Sequence, residues 1–204
     1  MICDDVKLYK ENGVNGIIED GSQRSFFPNG LPFYTYARTL FNTSLSIEEI
    51  EEDYLSHVYG EDWKLFRDYL KRISDALPLT FFSRDEARKT ATCHYSPDMA
   101  KRIAKIREIT NDGRELIKTH YNSDFRVRTV AVRMLEKHAC FCDLISDWMA
   151  AKARGETDEA NRLMHTARIA TGKFENEIKL YFDHHLYFAD YTYTQNATAP
   201  RITN

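Results

Sequence analysis

The strongest constraint on the fold comes from apolar residues at helical spacing in the second half of this 204-residue sequence. A start signal lies at 96–98, with Ser at the N-cap, Pro at the first helical position and an acid in the first turn. The periodicity predicts three helices, over about 97–121, 124–153 and 158–184. Because only 8 glycines and 5 prolines occur, long helices are favoured. Short connections between them predict an antiparallel bundle.

The N-terminal part has a different pattern. Residues 1–12 indicate the end of a helix, which Asn12-Gly13 stops because glycine tolerates the left-handed position after a helix. The apolar run at 14–18 then predicts a short buried strand. We therefore expect a mainly α fold, in which a helical domain over 46–204 follows one short β/α unit within residues 1–45.

Two further helices are predicted between these regions. Ser46 and Glu49 form the pattern of a capping box, and the helix that they open stops at Tyr59-Gly60. Another helix is expected from about Asp62 to Leu77, where Pro78 ends it.

Composition excludes several classes of protein. The net charge is −3 and the isoelectric point about 6.2, whereas nucleic-acid binders need a strong basic field, so no nucleic-acid partner is expected. No apolar run reaches the roughly 20 residues that span a bilayer, and the N-terminus lacks signal-peptide features, so no membrane partner is expected either. The four cysteines are expected to be reduced thiols, and a full-length chain of this kind would be cytoplasmic. For a fragment, the location stays open.

Motifs for metal, cofactor or nucleophilic chemistry are not found in the sequence. No Glu-x-x-His pair suits a di-metal bundle, and there is no phosphate loop or nucleophile elbow. His184 and His185 are neighbours that point apart on a helix, so we interpret them as polar contacts. We therefore predict no metal site, no cofactor and no catalytic residue within this chain.

Two acidic residues are the candidates for a substrate-binding site. Glu19 and Asp20 follow the predicted strand directly. In α/β barrels, ligand-binding groups lie on the loops that follow the strands. The alternative is that both residues only begin a surface loop, and spacing does not decide between the two.

The segment from Tyr9 to Gly21, with sequence YKENGVNGIIEDG, resembles the last strand region of bacterial glycoside-hydrolase-like barrel proteins. This family is catalogued as a domain of unknown function and is near the α-glucuronidases and β-hexosaminidases. Residues 34–42 are similar to its aromatic-rich helix, 46–54 to its acidic helix and 58–60 to its helix stop. The specific resemblance covers about residues 8–75, and Phe41 and Thr43 depart from the family's usual Trp and Pro.

This resemblance implies that the chain is the C-terminal helical accessory region of a larger carbohydrate-active protein. The β/α unit would be the last step of a (β/α)8 barrel, and a glycan would be bound through that barrel. Glu19 would contact a sugar hydroxyl, whereas the catalytic carboxylate pair would lie in barrel strands outside the chain. The chain alone is therefore expected to have no hydrolase activity. Which sugar and which linkage are recognised stays open.

Partners follow from the exposed edge that a single β/α unit would have. We expect a homodimer or a partner protein at this N-terminal edge. The alternative function is a free-standing helical protein-interaction module that binds through the bundle or through the aromatic segment 181–193. A third, weaker interpretation is a small enzyme with Glu19 or Asp20 as its base.

Overall fold

The computed structural model describes residues 2–18, 24, 26–77 and 95–188. This part of the chain is mainly helical, as the sequence predicts, and it contains no β-strand. Residues 184–188 are also helical. The other helices are α1 Ile2–Glu11, α2 Leu31–Phe41, α3 Ile47–Tyr59, α4 Trp63–Ala76, α5 Pro97–Ala104, α6 Ile106–Thr119, α7 Arg126–Ala153, α8 Thr157–Gly172 and α9 Glu175–Ile178.

Helix α7 lies at the centre of the fold, and its bounds agree with the predicted helix over 124–153. It packs against α3, α5, α6 and α8. Leu135, Ile145 and Met149 are completely or almost completely buried on this helix. Burial of each such aliphatic side chain contributes about 1.5–3 kcal/mol to the stability of the fold, so α7 makes a large contribution to the core.

The other two long helices of the prediction are each divided in the structure. Lys105 separates α5 from α6, and its N–H donates to the carbonyl of Arg102 at 3.2 Å, a tight three-residue turn. A similar turn at Lys173 ends α8, where its N–H donates to Ala170 at 3.3 Å. At the first break, Ile103 and Ile106 are both fully buried. Both helices therefore contribute to the core directly beside the break.

The predicted caps at Ser46 and Ser96 and the stop at Gly60 are confirmed, whereas Pro78, predicted to end the helix over 62–77, lies outside the described residues. The Ser46 hydroxyl accepts from the Glu49 N–H at 3.1 Å, and the Glu49 carboxylate accepts from the Ser46 N–H at 2.8 Å. Gly60 ends α3 with φ of +82°, a backbone angle that favours glycine. Ser96 caps α5 by accepting from the Met99 N–H at 3.3 Å.

The predicted strand at 14–18 is wrong. Residues 14–18 form no regular structure and are exposed, and Ile18 is 100% accessible to solvent. The N–H of Val14 turns back to the carbonyl of Tyr9 at 2.9 Å, which completes the end of α1 around Gly13. Among the described residues, no strand lies beside this run, so its backbone N–H and C=O groups have no neighbouring strand with which to form β-sheet hydrogen bonds. The expected β/α unit is therefore absent from the described residues.

Helix α1 is held to the rest of the fold by α2 and by the loop before α3. It packs against α2, and its Cys3 and Val6 side chains are buried. The ammonium group of Lys7 donates to the carbonyl of Leu45 at 2.8 Å. In the described part of the chain, no helix is long and apolar enough to cross a membrane.

Candidate functional site

The two substrate-binding residues predicted from the sequence, Glu19 and Asp20, lie outside the described residues. The structure therefore does not test their role. What it describes is the run before them, where Ile17 and Ile18 are exposed to solvent. The proposed sugar contact stays a prediction.

A cleft of about 1150 Å³ opens between α3, α4, α7 and the segments at 27–32 and 182–187. Its lining is mostly apolar, with charged residues from α3 and α4. The lining residues are Phe27, Pro28, Asn29, Leu31, Pro32, Glu48, Glu51, Leu55, Arg67, Leu70, Lys71, Ile73, Ser74, Asp75, Leu77, His138, Phe141, Cys142, Ile145, Phe182 and Tyr187.

One side of the cleft is a cluster of four aromatic rings. Phe27 meets Phe141 edge-on at 5.8 Å between ring centroids, and it meets Phe182 in a tilted arrangement at 4.9 Å. Tyr187 meets the edge of Phe141 at 4.9 Å. Such edge-on pairs fix each ring against its neighbours. The side of the cleft is thus built by three distant parts of the sequence that meet on α7.

Helix α7 also contributes a histidine and a cysteine to the cleft. His138 and Cys142 are four residues apart on one helix, so both side chains lie on the same face. The Cys142 Sγ lies 3.4 Å from the His138 Nε2. Burial lowers the pKa of His138 to about 4 and raises the pKa of the Cys142 thiol. At neutral pH the pair is therefore an uncharged imidazole beside an uncharged thiol.

This protonation state decides what the pair can do chemically. Nucleophilic cysteines act as thiolates, and a pKa raised by burial suppresses the thiolate. The Cys142–His138 pair is therefore suited to hydrogen bonding and packing, and not to covalent catalysis.

Charged residues lie at the rim of the cleft. Glu48 and Glu51 belong to α3, and neither forms an ion pair within the part of the chain that the structure describes. On α4, Lys71 is paired with Asp75 at 2.9 Å. Arg67, also on α4, is paired with its neighbour Asp68 at 3.0 Å. Since the cationic side chains of Lys71 and Arg67 each have an acidic partner, the carboxylates of Glu48 and Glu51 give the rim an excess of negative charge.

A buried carboxylate lies on α7 next to Cys142. Asp143 accepts from the Thr110 hydroxyl at 2.5 Å and from the Arg114 guanidinium at 2.5 Å, and Arg107 lies 4.0 Å away. This network ties α6 to α7. Because each carboxylate oxygen already has a donor, we interpret Asp143 as a structural residue.

No group of three or more His, Cys, Asp or Glu side chains among residues 2–18, 24, 26–77 and 95–188 could hold a metal ion. The His184 Nε2 lies 2.9 Å from the Thr171 hydroxyl and 3.1 Å from the Arg168 carbonyl, which are the polar contacts expected from the sequence. Cys140 is exposed and Cys142 buried, so the two thiols face different directions, also as expected.

The cleft itself was not predicted from the sequence. The spacing of His138 and Cys142 was a usable signal, because residues four apart share a helix face. Nothing local, however, indicates that Phe27 and Phe182 pack beside them.

Comparisons with known proteins gave no match to a family model, to a curated protein or to a solved structure.

Proposed function

We propose that this chain is the C-terminal helical accessory region of a carbohydrate-active, glycoside-hydrolase-like protein. By itself it has no hydrolase activity, and it supports a barrel that carries the catalytic carboxylates. A glycan reaches this region through the barrel, where Glu19 and Asp20 follow the apolar run at 14–18.

The observation that carries the proposal is the exposure of this apolar run. Val14, Ile17 and Ile18 are large aliphatic residues, yet all three are accessible to solvent. Covering such side chains contributes about 25 cal/mol for each Å² removed from water. A run that has no regular structure here but presents three exposed aliphatic side chains is suited to pair with a strand from a neighbouring part of a barrel.

The order of elements in the resembling region is consistent with this proposal. The aromatic helix α2, the acid-capped helix α3 and the glycine stop at Gly60 follow each other as the resemblance implies.

The first test is to sequence the DNA upstream of the Met1 codon in the native genome. We expect an open frame of several hundred codons with acidic residues at the ends of predicted strands. The long protein should hydrolyse an aryl glycoside, and the 204-residue chain should not. Turnover by the 204-residue chain would contradict the accessory role.

A matched pair of variants then tests the contact. In the long protein, Ile18→Asp should lower the melting temperature and the activity because it places a charge where the barrel would cover an isoleucine. Phe41→Asp is the control, since Phe41 is 88% exposed and lies on α2 outside the apolar run. Equal effects of the two substitutions, or no effect of Ile18→Asp, would contradict a contact at 14–18.

The alternative function, a free-standing helical interaction module, is supported by a second exposed surface. Phe125, Val127 and Val130 lie at the start of α7 and are all exposed. An in-frame stop codon just upstream of Met1, together with binding of a partner protein that Val127→Asp abolishes, would favour this function.

A further inference from the structure

We propose that the cleft between α3, α4 and α7 is a binding site for an uncharged hydrophobic molecule of two or three rings. This inference is independent of the proposed glycan-related function. It is carried by the size of the cleft, the aromatic side, the pair of polar groups at its base and the charge of its rim.

The dimensions and the lining favour a small molecule of this kind. Small-molecule sites are usually clefts of roughly 300–1000 Å³ with mainly apolar linings, and this cleft, at about 1150 Å³, slightly exceeds that range. Leu55, Ile73 and Ile145 are buried beneath it. The four rings of Phe27, Phe141, Phe182 and Tyr187 hold each other in place, so the aromatic side is largely formed before a ligand binds.

The His138–Cys142 pair gives the cleft a polar position on α7 that can select among apolar ligands. Among the described residues, the Cys142 thiol is the hydrogen-bonding partner of the His138 imidazole, at 3.4 Å from Nε2. A thiol is a weak partner, so the partly buried imidazole nitrogen can still accept a hydrogen bond from a stronger donor. A hydroxyl on the ligand would donate to this nitrogen. The neutral imidazole and thiol offer no charge to balance an anion or a cation at this depth.

The rim opposes negatively charged ligands. The carboxylates of Glu48 and Glu51 lie at the mouth without ion partners in the described ranges. Lys71 is already paired with Asp75. An anion would therefore meet like charge at the entrance and find only the uncharged imidazole and thiol inside the cleft. Both effects raise its free energy of binding.

The test uses two fluorescent probes that differ by one sulfonate group. N-phenyl-1-naphthylamine is neutral, and 8-anilinonaphthalene-1-sulfonate is its anionic counterpart. Titration of the full 204-residue protein should give saturable binding of one neutral probe for each chain. The anionic probe should bind about tenfold more weakly or worse, because of the charge at the rim. Equal binding of both probes, or no saturable binding of the neutral one, would overturn the proposal.

A pair of tryptophan variants locates the site. Ser74 lines the cleft from α4 and is exposed, so Ser74→Trp should fill part of it and weaken the neutral probe by about tenfold or more. Leu65→Trp is the control, because Leu65 is exposed on the same helix and does not line the cleft. Circular dichroism checks that both variants are folded. Loss of binding in both, or in neither, would place the probe elsewhere.

A third comparison tests the role of His138. Displacement of the neutral probe should require less 2-naphthol than naphthalene, because the hydroxyl of 2-naphthol can donate to the imidazole. His138→Leu should remove most of this preference, and a typical hydrogen bond corresponds to about fivefold in affinity. A preference that is unchanged in His138→Leu would contradict the assigned contact. Displacement by neutral oligosaccharides at concentrations where naphthalene fails would overturn the hydrophobic class of ligand.

Discussion

Gly113 on α6 packs against the Tyr69 ring on α4, and this contact provides a sharp test of the packing. A Cβ atom added at Gly113 on α6 would lie 2.1 Å from Cε2 and 2.5 Å from Cζ of the Tyr69 ring, well short of the 3.4–4 Å of ordinary contact. Tyr69 is 3% exposed, so its ring can move only by displacing the core side chains around it. The Gly113→Ala substitution must therefore separate the two helices or displace the ring.

Two opposing terms determine the expected magnitude. Alanine inside a helix is about 1 kcal/mol more favourable than glycine. Overpacking a core costs about 1–3 kcal/mol and sometimes more, and the overlap with Tyr69 indicates the upper end. We therefore expect Gly113→Ala to lower the free energy of unfolding by about 2 kcal/mol net. With a urea dependence of about 2 kcal/mol per molar, the unfolding midpoint should fall by about 1 M.

Urea titration followed by circular dichroism measures this shift, and a second glycine provides the control. Gly172 ends α8, and a Cβ there would lie 3.5 Å from the His184 ring, an ordinary contact. Gly172→Ala should leave stability unchanged or raise it by up to about 1 kcal/mol. In a Tyr69→Val background, which removes the ring, Gly113→Ala should lose its cost. If Gly113→Ala leaves the urea midpoint unchanged or raises it, as Gly172→Ala should, the predicted overlap with the Tyr69 ring is refuted.

Three other predictions concern ion pairs and caps. Burial lowers the pKa of His120, but hydrogen bonds with Asp62 and with a carbonyl one turn earlier outweigh this effect and raise the pKa above 6.5. The stability that His120 contributes is therefore complete below about pH 6.5 and is lost as the pH rises through the raised pKa. The urea midpoint should accordingly be higher at about pH 6 than at about pH 8, as far as His120 is concerned. Asp62→Asn should reduce this difference between the two midpoints, because it removes the charged partner of His120. Ser46→Ala should cost about 1 kcal/mol in the same assay, because it removes a paired cap, and no loss would refute the role of the capping box. Arg114→Gln should lower the free energy of unfolding by about 2–3 kcal/mol, because it removes a charged hydrogen-bond donor from the buried Asp143 carboxylate. Arg72→Gln breaks the exposed pair with Asp112 and should lower it by less than about 1 kcal/mol. Equal costs for these two arginines would contradict the structural role of the buried network.

The parts of the fold that sequence predicted well depend on interactions between near neighbours. The cap of α3 joins Ser46 to Glu49, and its end requires only that Gly60 adopt a positive φ. Helix α7 was predicted within about two residues of its start because its apolar periodicity is long. Signals of this kind need no knowledge of the rest of the chain.

The parts that were missed depend on distant contacts. The break at Lys105 has no glycine or proline to signal it, and the isoleucines on either side, Ile103 and Ile106, are both buried against the core. The apolar run at 14–18 has the composition of a strand, but a strand needs a neighbour, and short apolar runs alone do not specify one. For the cleft, the spacing of His138 and Cys142 was visible, whereas the aromatic residues from either end of the chain were not.

The length of α7 has a consequence for how the protein opens. Its 28 residues extend over about 42 Å at 1.5 Å per residue. Val132 belongs to the core cluster formed with α3 and α4, while Trp148 belongs to the one formed with α5 and α8. Since one continuous helix contributes to both clusters, neither can open fully without fraying half of α7. Amide protons near its middle should therefore exchange with solvent only when the whole described fold unfolds, and their exchange rate would report the global free energy of unfolding.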